Sequence, residues 1–333
     1  MTDTYRRLVL ARRPTGNVDP STLRLEEADR PALAGGEALV EVQYLSIDPT
    51  IRTWMNDAPG YLPPIEIDAV VRSGGLGTVV ESRNDDYPVG TTVFGMLGWT
   101  ELAVISADDP ATVVPEGIDP LPVLSVFGAT GMTAYFGLLD IGQPEEGDTV
   151  VVSGAAGATG SVVGQIARIK GAGTVVGIAG SDEKCAWLVD ELGFTAAINY
   201  RTEDVAARLR ELCPKGIDVF FDNVGGDILD AALANLAMKA RVVICGAISQ
   251  YNERVPVGPR YYVSLIFQRA RMEGFLILDY LDRFAEGQAQ MFEWVLGGQI
   301  HHREHVVDGL EHAGDALNML FTGENTGKVI VKL

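Results

Sequence analysis

The sequence predicts a two-part α/β protein: a doubly wound, mostly parallel sheet and a smaller β-barrel-type domain drawn from both ends of the chain. Three observations lead there. Asp148 to Lys184 reads as strand, glycine turn, helix and strand. From about Phe127 to Gly297, apolar β-branched runs alternate with amphipathic segments, as in a parallel sheet covered by helices. Before about Ser125, and again in the tail, short β-rich runs lie between Gly/Pro turns, the pattern of a compact β domain.

In chain order, Arg13-Pro14, Asp19-Pro20, Gly35-Gly36, Asp48-Pro49, Pro63-Pro64, Gly74-Gly75 and Val89-Gly90 mark turns. Between them Ala38–Leu45, Gly77–Ser82, Thr91–Phe94 and Leu102–Ile105 read as strands, and Pro110 to Pro122 as a proline-punctuated crossing segment. Thr149–Val152 lacks polar alternation and predicts a strand buried on both faces. Residues 155–160 fit A-x-G-x-x-G, and Val162, Val163, Ile166, Ala167 and Lys170 recur at helical spacing before the strand Thr174–Ile178. The helix start of such a βαβ unit offers backbone N–H groups to a pyrophosphate, so Ala156, Gly157, Ala158, Thr159 and Gly160 are candidate cofactor contacts. Ala155 stands where the usual fingerprint has its first glycine, so the turn must tolerate a small Cβ there. Gly157 admits a phosphate close to the backbone, and Gly160 lets the helix pack on the sheet.

Further helices are expected over Glu183–Leu192, Glu203–Leu212 and Asp227–Met238, with strands at Ala197–Tyr200, Ile217–Phe221, Arg241–Cys245 and Arg271–Ile277. Gln299 to Val307 reads as extended, Leu310–Leu320 as a helix, and Gly327–Leu333 as a strand returning to the first domain.

The 333 residues suffice for two domains with sizeable cores. A net charge of −19, from 45 acidic against 26 basic residues, argues against nucleic acid or an anionic membrane surface as partner. The three cysteines, Cys185, Cys213 and Cys245, form neither a disulfide framework nor a C-x-x-C pair, which fits a reducing cytoplasm. No signal-peptide segment is read in Met1–Arg7, and no run of about 18 apolar residues occurs.

Cofactor choice follows from the second strand of the βαβ unit. A site for NAD places a carboxylate at that strand's end. Here the strand ends Ile178-Ala179-Gly180-Ser181, and Asp182 and Glu183 read as first-turn helix residues that complement the dipole. Lys184, one turn in, can meet a ribose 2′-phosphate together with Ser181, which predicts NADPH. A zinc centre is not expected: residues 1–180 contain no Cys and no His, and extended geometry sets His301 and His305 roughly 13 Å apart. His302 and His312 complete the histidines, all four read as solvated.

The chain resembles the zinc-independent medium-chain dehydrogenases/reductases of the prostaglandin reductase (leukotriene 12-hydroxydehydrogenase) and 2-alkenal reductase group. The likeness is carried by residues 154–165, Gly180–Lys184, Phe221–Gly226, Cys245–Asn252, Arg271–Phe275 and the Gly-Glu-Asn-Thr-Gly-Lys run at 323–328. It covers nearly the whole chain, more strongly from Phe127 onward. It implies a GroES-like substrate domain over 1–126 and 298–333, with a Rossmann NADPH-binding domain over 127–297, and a homodimer paired through the sheet edge near Glu273–Leu278. It implies that Gly180, Ser181, Lys184 and Tyr200 surround the 2′-phosphate and that Asn325 reaches the cofactor from the returning tail. Asn223, just past the strand ending at Phe221, suits both a strand-end cofactor contact and an Asp-Asn turn; the resemblance favours the contact. Gly246, Ala247, Ile248 and Tyr251 fall near the nicotinamide by the same strand-end reasoning.

The activity expected is reduction of a carbon–carbon double bond conjugated to a carbonyl, in 2-alkenals or enones. NADPH:quinone oxidoreduction and non-catalytic NADPH binding are the alternatives. Two positions depart from the family pattern: Thr50 and Phe267 stand where relatives carry tyrosines. Tyr61 and Tyr251 are therefore the candidate catalytic hydroxyls.

Overall fold

A computed structural model describes residues 4–333, so the first three residues of the N-terminal segment lie outside the described residues. The chain divides into two compact units, one running up to Leu124 and resuming over Glu304–Leu333, the other spanning Ser125–Arg303.

In the first unit, β1 (Thr4–Leu10) and β2 (Leu23–Asp29) form an antiparallel pair absent from the sequence reading. β2 carries Arg24, Glu26, Glu27 and Asp29 among its seven residues, too polar to announce itself as a strand. β3 (Ala38–Ile47) is followed by the short helix α1 (Thr50–Trp54), then β4 (Gly75–Ser82), β5 (Thr92–Gly95), β6 (Leu102–Ile105) and the two-residue β7 (Thr112–Val113) within the expected crossing segment. β3 organises this unit. One of its edges carries β4, and the other is shared by β6 along residues 38–41 and, from the tail, by a strand along residues 44–47.

The second unit begins with α2 (Ala129–Phe136), which runs into a π-helical turn at Gly137–Gly142; neither was expected from sequence. Arg241 donates to the carbonyls of Gly142 (3.0 Å) and Gln143 (2.7 Å), and Arg271 to that of Ile141 (2.6 Å). The two arginines face each other on neighbouring strands and so close the end of this irregular helix. Next come β8 (Thr149–Ser153), α3 (Ala158–Ile169), β9 (Thr174–Ala179), α4 (Asp182–Asp190), β10 (Ala196–Asn199), α5 (Val205–Leu212), β11 (Ile217–Asp222), α6 (Gly226–Leu233), β12 (Leu236–Ile244), α7 (Ser264–Gln268), β13 (Arg271–Gly274) and α8 (Phe284–Leu296). The strands form one parallel sheet in the order β10-β9-β8-β11-β12-β13. Counted within the unit this is 3-2-1-4-5-6, the order of nucleotide-binding doubly wound folds, with its switch point between β8 and β11.

Consecutive strand residues feed opposite cores. Val150, Val152, Val219 and Phe221 pack with Val162, Val163, Ile166, Met132 and Phe136, whereas Val151 and Phe220 pack with Leu209, Leu229 and Leu233. Each such side chain contributes about 1.5–3 kcal/mol by leaving water, which explains why these strands carry no polar alternation.

Three elements differ from expectation. The helix expected to reach Met238 stops at Leu233, and Leu236–Met238 begin β12 instead. The Ala, Leu, Met and Lys of this stretch favour helix, but pairing of Leu236 with Ile217 overrides propensity, and Asn235 Nδ2 holds the Ala231 carbonyl at 2.8 Å to end the helix. β13 ends at Gly274, with Ile277 in a 3₁₀ turn. Residues 298–303, beyond the Gly297 limit expected from sequence, stay with the second unit: Ile300 is in its core and Gln165 makes both backbone hydrogen bonds of His301. The tail then enters the first unit as β14 (Glu304–Asp308), α9 (Ala313–Thr322) and β15 (Lys328–Lys332), β15 being the strand antiparallel to β3.

Among the described residues no helix is long and apolar enough to cross a membrane, and no group of three or more His, Cys, Asp or Glu could hold a metal ion. Helix α3 lies so close to the turn before it that a Cβ on Gly160 would sit 2.4 Å from the Gly154 carbonyl oxygen. Gly160→Ala is therefore expected to lower unfolding stability by about 1–3 kcal/mol, measurable by urea denaturation, and an unchanged midpoint would contradict this packing.

Candidate active site

The site forms where β8 and β11 separate. β8 ends at Ser153, and Gly154 turns the chain with φ +57°, a left-handed conformation that only glycine takes without strain. This explains how Ala155 fits the fingerprint: the left-handed residue is the glycine before it. Ala155 N–H donates to the Ile178 carbonyl at 3.0 Å and Gly157 N–H to the Gly154 carbonyl at 3.0 Å, which closes a tight turn. α3 then starts at Ala158 with Gly157 as its N-cap and no side chain capping it. Its first N–H groups and the positive end of its dipole are thus available to an anion. Ala156 and Gly157 belong to this turn, and Ala158, Thr159 and Gly160 to the first turn of α3.

One carboxylate braces the strand ends. Asp222, fully buried at the end of β11, accepts from Ser153 Oγ (2.7 Å), Val224 N–H (3.0 Å) and Gly225 N–H (3.0 Å). Burial pushes its pKa above the usual carboxylate range while these donors pull it down. The Asp222 backbone carbonyl receives the N–H groups of Cys245 and Gly246 after β12. Asn223 donates its side-chain N–H to the Ser153 carbonyl (2.7 Å) and its backbone N–H to Ser153 Oγ (2.8 Å), and accepts from Ile248 N–H (3.2 Å). It thus links three strand ends. In the loop after β12, Ala247 N–H donates to the Tyr251 hydroxyl oxygen at 3.2 Å. A Cβ on Gly246 would lie 3.1 Å from that oxygen, so Gly246, Ala247, Ile248 and Tyr251 form one packed loop.

A second cluster lies at the ends of β9 and β10. Ser181 caps α4 by accepting from Lys184 N–H at 3.3 Å, and Asp182 and Glu183 occupy the first turn. Asp182 receives the Asn199 side-chain amide at 2.7 Å. The acid that follows the second strand is thus engaged within the helix start, as the sequence reading expected. Tyr200 packs its hydroxyl over Gly180, where a Cβ would meet it at 3.0 Å. The Lys184 ammonium has its pKa lowered, first by burial and then by the positive charge of Arg201. The Arg201 guanidinium also lies over the Tyr200 ring at 5.9 Å. Sequence reading missed Arg201; its signal was a cation one residue beyond Tyr200, placed here by the pairing of Asn199 with Ala179.

The second unit therefore brings together the glycine turn, Asn223 and the Gly246–Tyr251 loop, and separately Gly180, Ser181, Lys184, Tyr200 and Arg201. Tyr61 and Asn325 belong to the first unit. There the Tyr61 hydroxyl is hydrogen-bonded to Thr50 Oγ1, and its ring meets Trp54 edge-on at 6.2 Å. Asn325 is buried and donates to the Gly327 carbonyl at 3.1 Å. Phe267, at a family tyrosine position, is 68% exposed on α7.

Comparison with known proteins agrees with this architecture. Residues 6–113 match the family described as the N-terminal domain of oxidoreductase, and residues 158–294 the family described as zinc-binding dehydrogenase. An NADPH-dependent curcumin reductase of Escherichia coli is 42% identical over 334 residues, covering 98% of this chain and 96% of the relative. Prostaglandin reductase 1 of Bos taurus is 39% identical, covering 94% of each. The chain belongs to the zinc-independent medium-chain dehydrogenase/reductase family. Among solved structures, CurA from Vibrio vulnificus in complex with NADPH superposes with a TM-score of 0.93 at 43% identity, covering 98% of each chain.

The electrostatics carry a pH expectation. Only the protonated Lys184 attracts a phosphate dianion, and its lowered pKa makes it lose that proton at lower pH than an ordinary lysine. The preference for NADPH over NADH should fall as pH rises into the alkaline range, earlier than an unperturbed lysine would allow. Lys184→Ala should reduce the preference at neutral pH by about 10-fold or more. Fluorescence titration with both nucleotides checks both points, and an unchanged ratio would show that Lys184 does not meet the 2′-phosphate.

Proposed function

We propose that this NADP-dependent oxidoreductase reduces carbon–carbon double bonds conjugated to a carbonyl, in 2-alkenals and enones, with cytoplasmic location and a homodimeric assembly. The observation that carries the reading is the pairing of an uncapped glycine turn at the switch point with a Lys184–Arg201 cation cluster at the end of β9. The curcumin and prostaglandin reductase relatives support the reductase class, and curcumin is itself a conjugated enone.

NADPH bound along the carboxyl ends of the strands would supply a hydride. In this reading the α3 N-terminus would hold the pyrophosphate, Ser181, Lys184, Tyr200 and Arg201 would hold the 2′-phosphate, and Asn325 would be a further cofactor contact. Gly246, Ala247 and Ile248 would line the nicotinamide. Hydride delivery to the β-carbon drives negative charge onto the substrate carbonyl oxygen, which hydroxyl donors stabilise before the α-carbon takes a proton. Tyr251, whose oxygen accepts from Ala247 N–H, is the first of these hydroxyls. Tyr61, steadied by Thr50, is the second hydroxyl and stands in for the tyrosine that relatives carry at position 50.

Assembly is read from β13, which is exposed along its length at the sheet edge, with Leu278 and Leu281 exposed beside it. Such an edge is a ready strand-pairing surface. Light scattering should return twice the 35.7 kDa chain mass, and a monomer would refute the edge pairing.

Steady-state oxidation of NADPH against a panel of 2-alkenals, aryl enones and quinones tests the activity. Saturated carbonyl products are expected; hydroquinone as the main product would favour quinone reduction instead, and no turnover with any acceptor would sink the enzyme reading. Tyr251→Phe and Tyr61→Phe should each lower kcat/KM for the enone by about 10- to 100-fold.

A further inference from the structure

The tail motif ends in a lysine that the chemistry above does not use. Lys328 opens β15, is 2% exposed, and is followed by Val329, Ile330 and Val331, all fully buried. Its ammonium donates to the Ile47 carbonyl at 2.6 Å and to Asp48 Oδ1 at 2.6 Å. Asp48 Oδ2 in turn accepts from Ser46 Oγ at 2.5 Å. A buried cation is costly, and replacing a whole buried ion pair by apolar side chains of similar volume is often neutral or stabilising. Packing therefore does not account for a charge at this position.

What the ammonium holds is the exit of β3. The chain leaves Asp48 through Pro49 into α1, and α1 presents Thr50 and Trp54 to Tyr61. A second buried cation grips the same helix further along. Arg52, also 2% exposed, donates to the carbonyls of Gly16 (2.7 Å) and Pro14 (3.1 Å) and to Asn56 Oδ1 (2.6 Å). The return of the loop is fixed by Ile65 N–H on the Trp54 carbonyl at 2.7 Å. Directional hydrogen bonds thus anchor both ends of the segment that carries Tyr61, beside the burial of Ile51, Met55 and Ile65, and the first in the chain is made by Lys328.

We propose that Lys328 is a positioning residue: through Asp48 and the Ile47 carbonyl it sets the start of α1, and so the Thr50–Tyr61 hydroxyl pair, for the reacting carbonyl. The proposal rests on the reading of Tyr61 as a substrate-side hydroxyl. Displacement of a catalytic group by about 1 Å costs up to about 100-fold in rate, which makes a distant lysine visible in kinetics.

The test compares Lys328→Met, Asp48→Asn, Tyr61→Phe and the Lys328→Met/Tyr61→Phe double variant, in the full-length protein with NADPH saturating. Lys328→Met and Asp48→Asn should each lower kcat/KM for an enone by about 10-fold or more, while the NADPH dissociation constant stays within about twofold. In the Lys328→Met background Tyr61→Phe should cost almost nothing further, because a misplaced hydroxyl has little left to lose. Asp48→Asn, on a side chain partly open to solvent, serves if Lys328→Met does not fold. A readout without turnover is the emission of Trp54, taken as the difference between each protein and its Trp54→Phe counterpart; it should shift in Lys328→Met and Asp48→Asn. Unchanged Trp54 emission with fully additive kinetics would overturn the proposal. If Tyr61→Phe alone leaves enone reduction intact, the hydroxyl role and the positioning role fall together while the reductase reading stands. If no enone is turned over but Trp54 shifts, the reductase reading falls and the anchoring of α1 by Lys328 stands.

Discussion

The carboxyl ends of β8, β11 and β12 are held together by one buried carboxylate, Asp222, and the candidate cofactor crevice depends on it. In a parallel sheet the strand ends have backbone groups that the ladder no longer satisfies, and a crevice needs them satisfied without filling it. Asp222 does this from within the sheet. Its side chain takes the Ser153 hydroxyl and the amides of the turn after β11, and its backbone carbonyl takes those that follow β12. Ser153 and Asn223 complete the brace from either side. The rim of the crevice is thereby rigid before any ligand arrives, which spares binding some of the ordering cost.

Much of this was readable from residues alone, because the strands are buried on both faces. A strand whose neighbours all face cores must be continuously apolar, so Thr149–Val152, Thr174–Ile178 and Ile217–Phe221 declare themselves. The glycine turn and the absence of a strand-end acid after Ile178 are likewise local signals. What escaped was whatever depends on partners far along the chain. β2 carries charged side chains on both faces and is a strand because β1 pairs with it. Leu236–Met238 favour helix by composition and become strand through Ile217. α2 has little amphipathic contrast, being buried on most sides by α3, α8 and the sheet. Arg201 was invisible as a site residue because its closeness to Lys184 is a matter of strand register.

The two units manage buried charge in different ways. In the second, a buried anion gathers backbone donors at the strand ends. In the first, the buried cations Lys328 and Arg52 hold mainly backbone carbonyls, where the chain leaves β3 and turns through α1. Both arrangements convert a desolvation cost into directional geometry, since a charge out of water tolerates little displacement of its partners. Apolar packing alone would leave the segment ends freer to shift by the fraction of an ångström that matters for hydride and proton transfer.

The neighbouring charges of Lys184 and Arg201 have a consequence for how the cofactor arrives. In the proposed binding mode they meet the 2′-phosphate as a local cationic spot beside Asp182 and Glu183, on a chain whose net charge is −19. A polyanionic nucleotide approaching from solution meets repulsion from the body of the molecule first, and feels the spot only within about one Debye length, roughly 8 Å at physiological ionic strength. In the proposed binding mode salt thus acts in opposite directions on the two stages. It screens the distant repulsion and speeds encounter, yet it also weakens the final grip on the phosphate. Capture of the nucleotide is therefore a balance between a long-range field and a short-range one, and the ionic strength of the cell sets where that balance lies.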